Sequence, residues 1–263
     1  MRLGFIGAGN MAQAIIGGVL KAGLVPAEEI TASDALAETA EKVQKKFGIR
    51  TTTENKEAAG ADIVFLAVKP AFCEGAIRSI KEELGEDQVI VSIVAGRTLQ
   101  WLQEMLGAEK KIIRTMPNTP ALVGEGITAV CPNENVDAAE LTTVLEILNS
   151  FGKAEVITEN LMDAVVAVSG SSPAYVFIMI EAMADAAVAE GMPRAQAYQF
   201  AAQSVLGSAK MVLETGKHPA ELKDMVCSPA GTTIDAVKLL EEKGFRSALM
   251  EAMHACAEKS RNL

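Results

Sequence analysis

A chain of 263 residues, 49% hydrophobic and 22% charged, holds enough apolar material for one or two buried cores and is too apolar to stay disordered. Its formal net charge of −10 excludes a nucleic-acid backbone as partner, because phosphate backbones need clustered Lys and Arg, while a single small anion at a local site stays compatible. Four scattered cysteines (Cys73, Cys131, Cys227, Cys256) without a C-x-x-C, and two isolated histidines (His218, His254), predict no disulfide frame, no metal and no His-centred triad. The cysteines, including Cys227 beside a turn discussed below, are expected to be dispensable for chemistry.

In chain order, the apolar run Leu3–Ile6 is a predicted strand that passes straight into glycines, without the apolar region and cleavage site of a secretory leader. Asn10–Lys21 reads as a helix stopped by Gly23, Glu29–Ser33 as a strand, and Ala35–Phe47 as a helix closed by Gly48. Further strands are predicted at Asp62–Val68, Val89–Val94, Ile112–Thr115 and Ile127–Val130. Runs this rich in β-branched residues suit strands covered on both faces, and their alternation with helices predicts right-handed βαβ units in a doubly wound sheet. Strand signals stop near residue 158. Helices follow at Pro173–Glu190, Arg194–Thr215, Ala220–Met225, Thr232–Glu242 and Arg246–Ser260. The first of these is apolar almost all round, so it is either the core helix of its domain or a subunit interface, and the interface is the favoured reading. The most apolar stretch, Val176–Ile180, is too short to span a bilayer, and a cytoplasmic protein without a membrane partner is expected.

Gly7-Ala8-Gly9-Asn10-Met11-Ala12 fits G-x-G-x-x-A between a predicted strand and a predicted helix. Gly7 permits the tight turn, Gly9 lets backbone approach a pyrophosphate, and Ala12 allows close helix–strand packing. The helix N-terminus then offers N–H groups to the phosphates. Ser33 and Asp34 end the second strand, where the adenosine ribose belongs. Asp34 either accepts from the ribose hydroxyls and repels the extra phosphate of NADP, or caps the following helix; no Lys or Arg lies in the adjacent turn. Ala67-Val68-Lys69-Pro70 and Arg114-Thr115-Met116-Pro117-Asn118-Thr119-Pro120 lie at strand ends, where position favours a ligand loop over a plain connector. The second is expected to be a stiff loop rather than a helix.

In the helical half, Ser172 is the expected N-cap of the long helix, with Pro173 in its first turn. The turn Cys227–Thr233 presents backbone N–H groups and hydroxyls at a helix N-terminus. It is either ordinary capping or a cradle for a small carboxylate that needs no cationic side chain. Glu181 and Asp185, four residues apart, read as solvated charges rather than a metal pair.

The segments F-I-G-A-G-N-M-A, L-A-V-K-P, R-T-M-P-N-T-P, S-G-S-S-P-A-Y and S-P-A-G-T-T-I occur in this order, and with them the chain resembles pyrroline-5-carboxylate reductases over its full length. The resemblance implies an α/β fold: an N-terminal Rossmann doubly wound sheet over residues 1–158, then an all-α substrate-binding and dimerisation domain over residues 159–263. It implies reduction of 1-pyrroline-5-carboxylate to L-proline, the last step of proline biosynthesis, with NADPH or NADH as cofactor, in a homodimer that assembles further into a ring. By position, cofactor contacts fall at Ile6, Gly7, Ala8, Gly9, Asn10, Met11, Ser33, Asn55, Val68, Lys69, Pro70 and Ala95. Substrate contacts fall at Glu159, Gly231, Thr232 and Thr233. Thr233 is the expected catalytic residue, its hydroxyl reaching the ring nitrogen as donor or as relay from water; Glu159 either stabilises the cationic ring or complements a helix dipole.

Three positions depart from the family pattern. Ser172 and Ala230 stand where the family usually has glycine, in S-G-S-G-P-A-Y and S-P-G-G. Asp34 stands where NADP-preferring members often carry a small polar or basic residue, so NADH is expected to be used better than in typical relatives. Two other readings stay open. A 3-hydroxyacid dehydrogenase shares the plan but wants a Lys base, and none of Lys210, Lys217 and Lys223 sits in a matching motif. A non-catalytic dinucleotide sensor is kept open by Ser172 and Ala230.

Overall fold

In the computed structural model, which describes residues 1–262, the β-branched runs form one eight-stranded sheet. The strands are β1 (Leu3–Ile6), β2 (Ile30–Ser33), β3 (Arg50–Thr52), β4 (Ile63–Leu66), β5 (Val89–Ser92), β6 (Lys111–Met116), β7 (Gly126–Pro132) and β8 (Gly152–Val156), in the order β3-β2-β1-β4-β5-β6-β7-β8. All neighbours run parallel except β6 and β7. The chain leaves β1 towards β2 on one side and returns as β4 on the other, so the topological switch lies at the C-terminal end of β1, where open α/β sheets bind ligands. Register levels this rim: Ile6 pairs with both Ser33 and Leu66, and Leu66 with Ser92.

Every residue of β1, β4 and β5 is buried. On one face Leu3 and Phe5 pack with α1 (Asn10–Ala22), Phe5 stacking on Phe65 at 4.8 Å between ring centroids. Burying each such ring contributes about 1.5–3 kcal/mol. On the other face Ile6, Leu66 and Ile90 pack with α3 (Asn55–Ala59), α4 (Pro70–Ile80) and α5 (Leu99–Leu106). A β-carbon on Gly4 would lie 1.9 Å from the Ala58 carbonyl oxygen, so only glycine lets α3 lie this close to β1. Helix α2 (Ala37–Phe47) connects β2 to β3.

The strands at β4 and β5 end two residues sooner than predicted, because the residues that follow form the rim loops. Strands β3 and β8 and helix α3 go beyond the predicted set. Both strands are short sheet edges, whose half-exposed, polar sequences RTT and GKAEV lack the apolar run of a covered strand. Thr119–Val123, expected as a loop, folds as a 3₁₀ turn with Pro120 at its start.

The chain forms two compact units, Met1–Gly170 with the segment from Ala257 onward, and Ser171–Cys256. Residue 158 marks the end of the strands, yet residues 159–170 stay with the sheet unit, because Met162 of α7 (Met162–Val165) is buried against Ala129 and Cys131.

The remaining helices are α6 (Ala138–Asn149), between β7 and β8, and then α8 (Ser172–Ala189), α9 (Arg194–Thr215), α10 (Pro219–Val226), α11 (Thr232–Glu242) and α12 (Phe245–Arg261). The N-cap of α8 is Ser171, not Ser172, and it makes no side-chain capping bond; Pro173 lies in the first turn as expected. Helices α8 and α9 pack together over Ala184, Ala197 and Ala201, small residues that allow close approach. Of α8, Ala184 alone is buried, while Phe177 and Ile178 are 64% and 66% exposed, so α8 is no core helix of its unit. The segment Glu159–Ala189 is longer than the apolar stretch suggested: by length and composition it is long and apolar enough to cross a membrane.

Candidate active site

The rim at the switch point is built by backbone. Gly7 N–H donates to Ser33 O at 2.8 Å, and Ala67 N–H to Ile6 O at 2.8 Å, so the loops after β1, β2 and β4 are pinned side by side. Gly7 has φ +100°, and a β-carbon there would sit 2.6 Å from Ala67 O and 3.1 Å from Val68 Cγ1. Gly9 differs: it is extended, and a β-carbon would meet nothing within 4 Å. Open space thus lies before the N-terminus of α1, whose first turn has no side-chain cap. Exposed Asn10 and half-buried Met11 begin that turn. This cradle fits a diphosphate, which needs backbone donors and room rather than cations. Ile6, Ala8 and Ala12 are buried, so Ile6 and Ala8 can meet a cofactor through backbone, and Ala12 serves helix packing.

Ser33 is fully buried. Its hydroxyl lies 3.2 Å from Phe5 O and 2.8 Å from Asn55 Oδ1, and Asn55 Nδ2 donates to Ser79 Oγ at 2.9 Å. Ser33 therefore orients Asn55, which is the half-buried group at this corner. Asp34 Oδ2 accepts the Ala8 N–H and Oδ1 the Leu36 N–H, both at 3.0 Å.

Half-buried Val68 adjoins Gly7, and exposed Lys69 and Pro70 start α4. Ala95 lies half-buried in the turn after β5, and Arg97 two residues on stacks on Trp101 with its guanidinium 4.7 Å from the ring centre. Arg97 Nη2 also donates to Pro70 O at 3.4 Å, linking two rim loops. The Asn118 side chain donates to Ser169 O at 3.1 Å and accepts from Ile127 N–H at 2.9 Å, which makes the M-P-N-T-P segment an anchor. Glu159 Oε1 accepts from Arg114 Nη1 and from Leu99 N–H, each at 2.7 Å. It sits in the sheet unit with its charge answered by a mostly buried guanidinium and by the N-terminus of α5. The roles of Arg97, Arg114 and Ser79 go beyond the sequence reading, because their partners lie 24–45 positions away, outside any local motif.

In the helical unit, Gly231 is the N-cap of α11 and donates to Ser228 O at 3.0 Å, and a β-carbon on it would lie 2.3 Å from Ser228 Oγ. Ala230 holds φ +55°, the left-handed region usual for glycine, and is the one non-glycine with positive φ among the described residues. No side chain caps α11, so the N–H groups of its first turn, where exposed Thr232 and half-buried Thr233 stand, have no side-chain acceptor. Asp185 pairs with Arg194 as a surface charge. Burial pushes the Cys73 thiol up to about 11 and the Cys131 thiol upward, so neither supplies thiolate at neutral pH. Cys256 donates to Ser171 Oγ at 3.1 Å.

A glycine-loop cradle at the switch point of a doubly wound sheet, with polar rim loops beside it, defines a protein of the dinucleotide-binding α/β class. A family model described as coenzyme F420-dependent NADP oxidoreductase matches residues 2–96, and one described as pyrroline-5-carboxylate reductase dimerisation matches residues 159–263. The pyrroline-5-carboxylate reductase of Escherichia coli (strain K12) is 55% identical, covering 100% of this chain and 98% of that one. The enzyme of Methanosarcina acetivorans is 45% identical, covering 100% and 97%. The solved structure of Plasmodium falciparum pyrroline carboxylate reductase with NADP bound matches with TM-score 0.90 at 35% identity, covering 100% of this chain and 97% of that one. The chain belongs to the pyrroline-5-carboxylate reductase family, NAD(P)H-dependent oxidoreductases that reduce 1-pyrroline-5-carboxylate to L-proline. The dehydrogenase and sensor readings fall away.

Proposed function

We propose a division of labour for this reduction. The rim around Gly7–Met11, Asn55, Val68–Pro70 and Ala95 holds the dinucleotide, and the Gly231–Thr233 turn holds the substrate carboxylate. The first function is supported by the open space at Gly9 and by NADP in the Plasmodium relative. The observation that carries the second is the uncapped N-terminus of α11 behind Gly231, where a β-carbon would sit 2.3 Å from Ser228 Oγ and push that side chain aside. The reduced nicotinamide supplies the hydride to the imine carbon. The ring nitrogen gains a proton, and the Thr233 hydroxyl donates to it directly or relays from water. Glu159 acts as a positioning residue, holding Arg114 and the start of α5.

The helical half, residues 159–263, joins two copies into a homodimer, which assembles further into a ring. The exposed apolar faces of α8 and α9 and the family's dimerisation description support the homodimer. The enzyme works in the cytoplasm on a small molecule, with neither nucleic acid nor membrane as partner.

Thr233→Ala tests the proton assignment. It keeps the backbone donor and removes the hydroxyl, so kcat should fall about 10²-fold while KM for the substrate changes little. Thr233→Ser should retain most activity. A rise in KM alone would assign the hydroxyl to ground-state binding.

A further inference from the structure

The Asp34 carboxylate has a part that the reduction itself does not use. Asp34 N–H donates to Thr52 O at 3.1 Å, which extends the β2–β3 ladder by one residue and holds the backbone at the rim beside the glycine loop. Its two carboxylate oxygens each accept one backbone N–H, from Ala8 and from Leu36, so the side chain is fixed against the loop that cradles the diphosphate. The alternative of a helix cap does not hold: α2 begins at Ala37, its N-cap is Leu36, and no side chain caps it.

Among the described residues, no Lys, Arg or His lies within ion-pair distance of Asp34. The segment 35–41 adds Glu38 and Glu41 and no base, and the next two lysines along the chain, Lys42 and Lys45, are paired to those two glutamates. The corner is therefore negative and rich in acceptors. A ribose 2′-hydroxyl brings a donor to such a corner. A 2′-phosphate brings a second anion, no donor and no cation to answer it.

We infer that Asp34 is the specificity-determining residue for the cofactor, and that this chain selects NADH over NADPH. The inference rests on the dinucleotide site proposed above. Both Ala8 and Leu36 need an acceptor, so Asp34→Asn can satisfy only one of them, whereas Asp34→Ser removes charge and reach together.

The test is fluorescence titration of the purified, cofactor-free enzyme with NADH and with NADPH, for the natural sequence, Asp34→Ser and Asp34→Asn. The natural enzyme should bind NADH at least tenfold more tightly. Both variants should move the Kd ratio towards NADPH by tenfold or more, chiefly through tighter NADPH binding. Equal affinity of the natural enzyme for the two cofactors overturns the inference without any variant. A parallel weakening of both cofactors, with the ratio within twofold, also overturns it and makes Asp34 a brace of the glycine loop. Because the readout is binding, loss of turnover on pyrroline-5-carboxylate would sink the reductase mechanism and leave the Kd ratio to decide this point.

Discussion

The sheet unit and the helical unit draw on similarly apolar sequence and use it in opposite ways. Strands β1, β4 and β5 bury every residue beneath helices of their own unit. Helix α8 buries one residue of eighteen, and Phe200 and Leu213 of α9 are 66% and 70% exposed. Each such side chain gains about 1.5–3 kcal/mol on full burial. The sheet therefore completes itself, while the helical unit leaves apolar faces that a second copy of the chain covers in the proposed homodimer.

The strongest way to break this contrast is to charge the exposed face of α8. Phe177→Glu should reduce the particle to the 27.7 kDa monomer by light scattering, lower the melting midpoint by more than about 10 °C and abolish turnover. Leu24→Glu, at an exposed leucine of the sheet unit, should shift stability by no more than about 0.5 kcal/mol. Equal tolerance of the two changes would end the comparison.

Within the sheet unit, the glycine loop separates folding from binding. Gly7→Ala meets both positive φ and the Ala67 carbonyl, and should cost about 2–3 kcal/mol in thermal or urea unfolding. Gly9→Ala meets open space, so its midpoint should hold while the Kd for NADH rises at least tenfold. A Gly9→Ala protein that binds normally would move the diphosphate away from α1.

The smallest expected effect lies in the helical unit. Ala230→Gly relieves a left-handed alanine but gives the unfolded chain more freedom, so unfolding should report a gain of up to about 1 kcal/mol with activity kept. Gly231→Ala, two residues before the proposed proton donor Thr233, should instead raise KM for the substrate at unchanged cofactor affinity.

The glycine loop, the parallel strands and the boundaries of α9 and α11 were legible because their signals are local. A covered strand needs a β-branched run, a tight turn needs glycine, and a helix stop needs Gly216 at φ +64°. The edge strands β3 and β8 were not legible, because partly exposed edges select no apolar pattern. The 3₁₀ turn at Thr119–Val123 depends on the Asn118 anchor to Ser169 and Ile127, contacts that span up to 51 positions.

The sequence by itself determined the α/β plan through its periods and glycine motif, and its ordered motifs carry the resemblance that pointed to the family and to the residue types at the rim. Tertiary structure decided what each of those residues is free to do. Ser33 is spent inside on Phe5 and Asn55, Glu159 is answered by Arg114, and Asp34 is held by Ala8 N–H rather than by a helix end. The reason is physical: a side chain's hydrogen-bonding capacity is shared among whatever the fold brings within about 3 Å, and those partners sit 22–45 residues away in the chain.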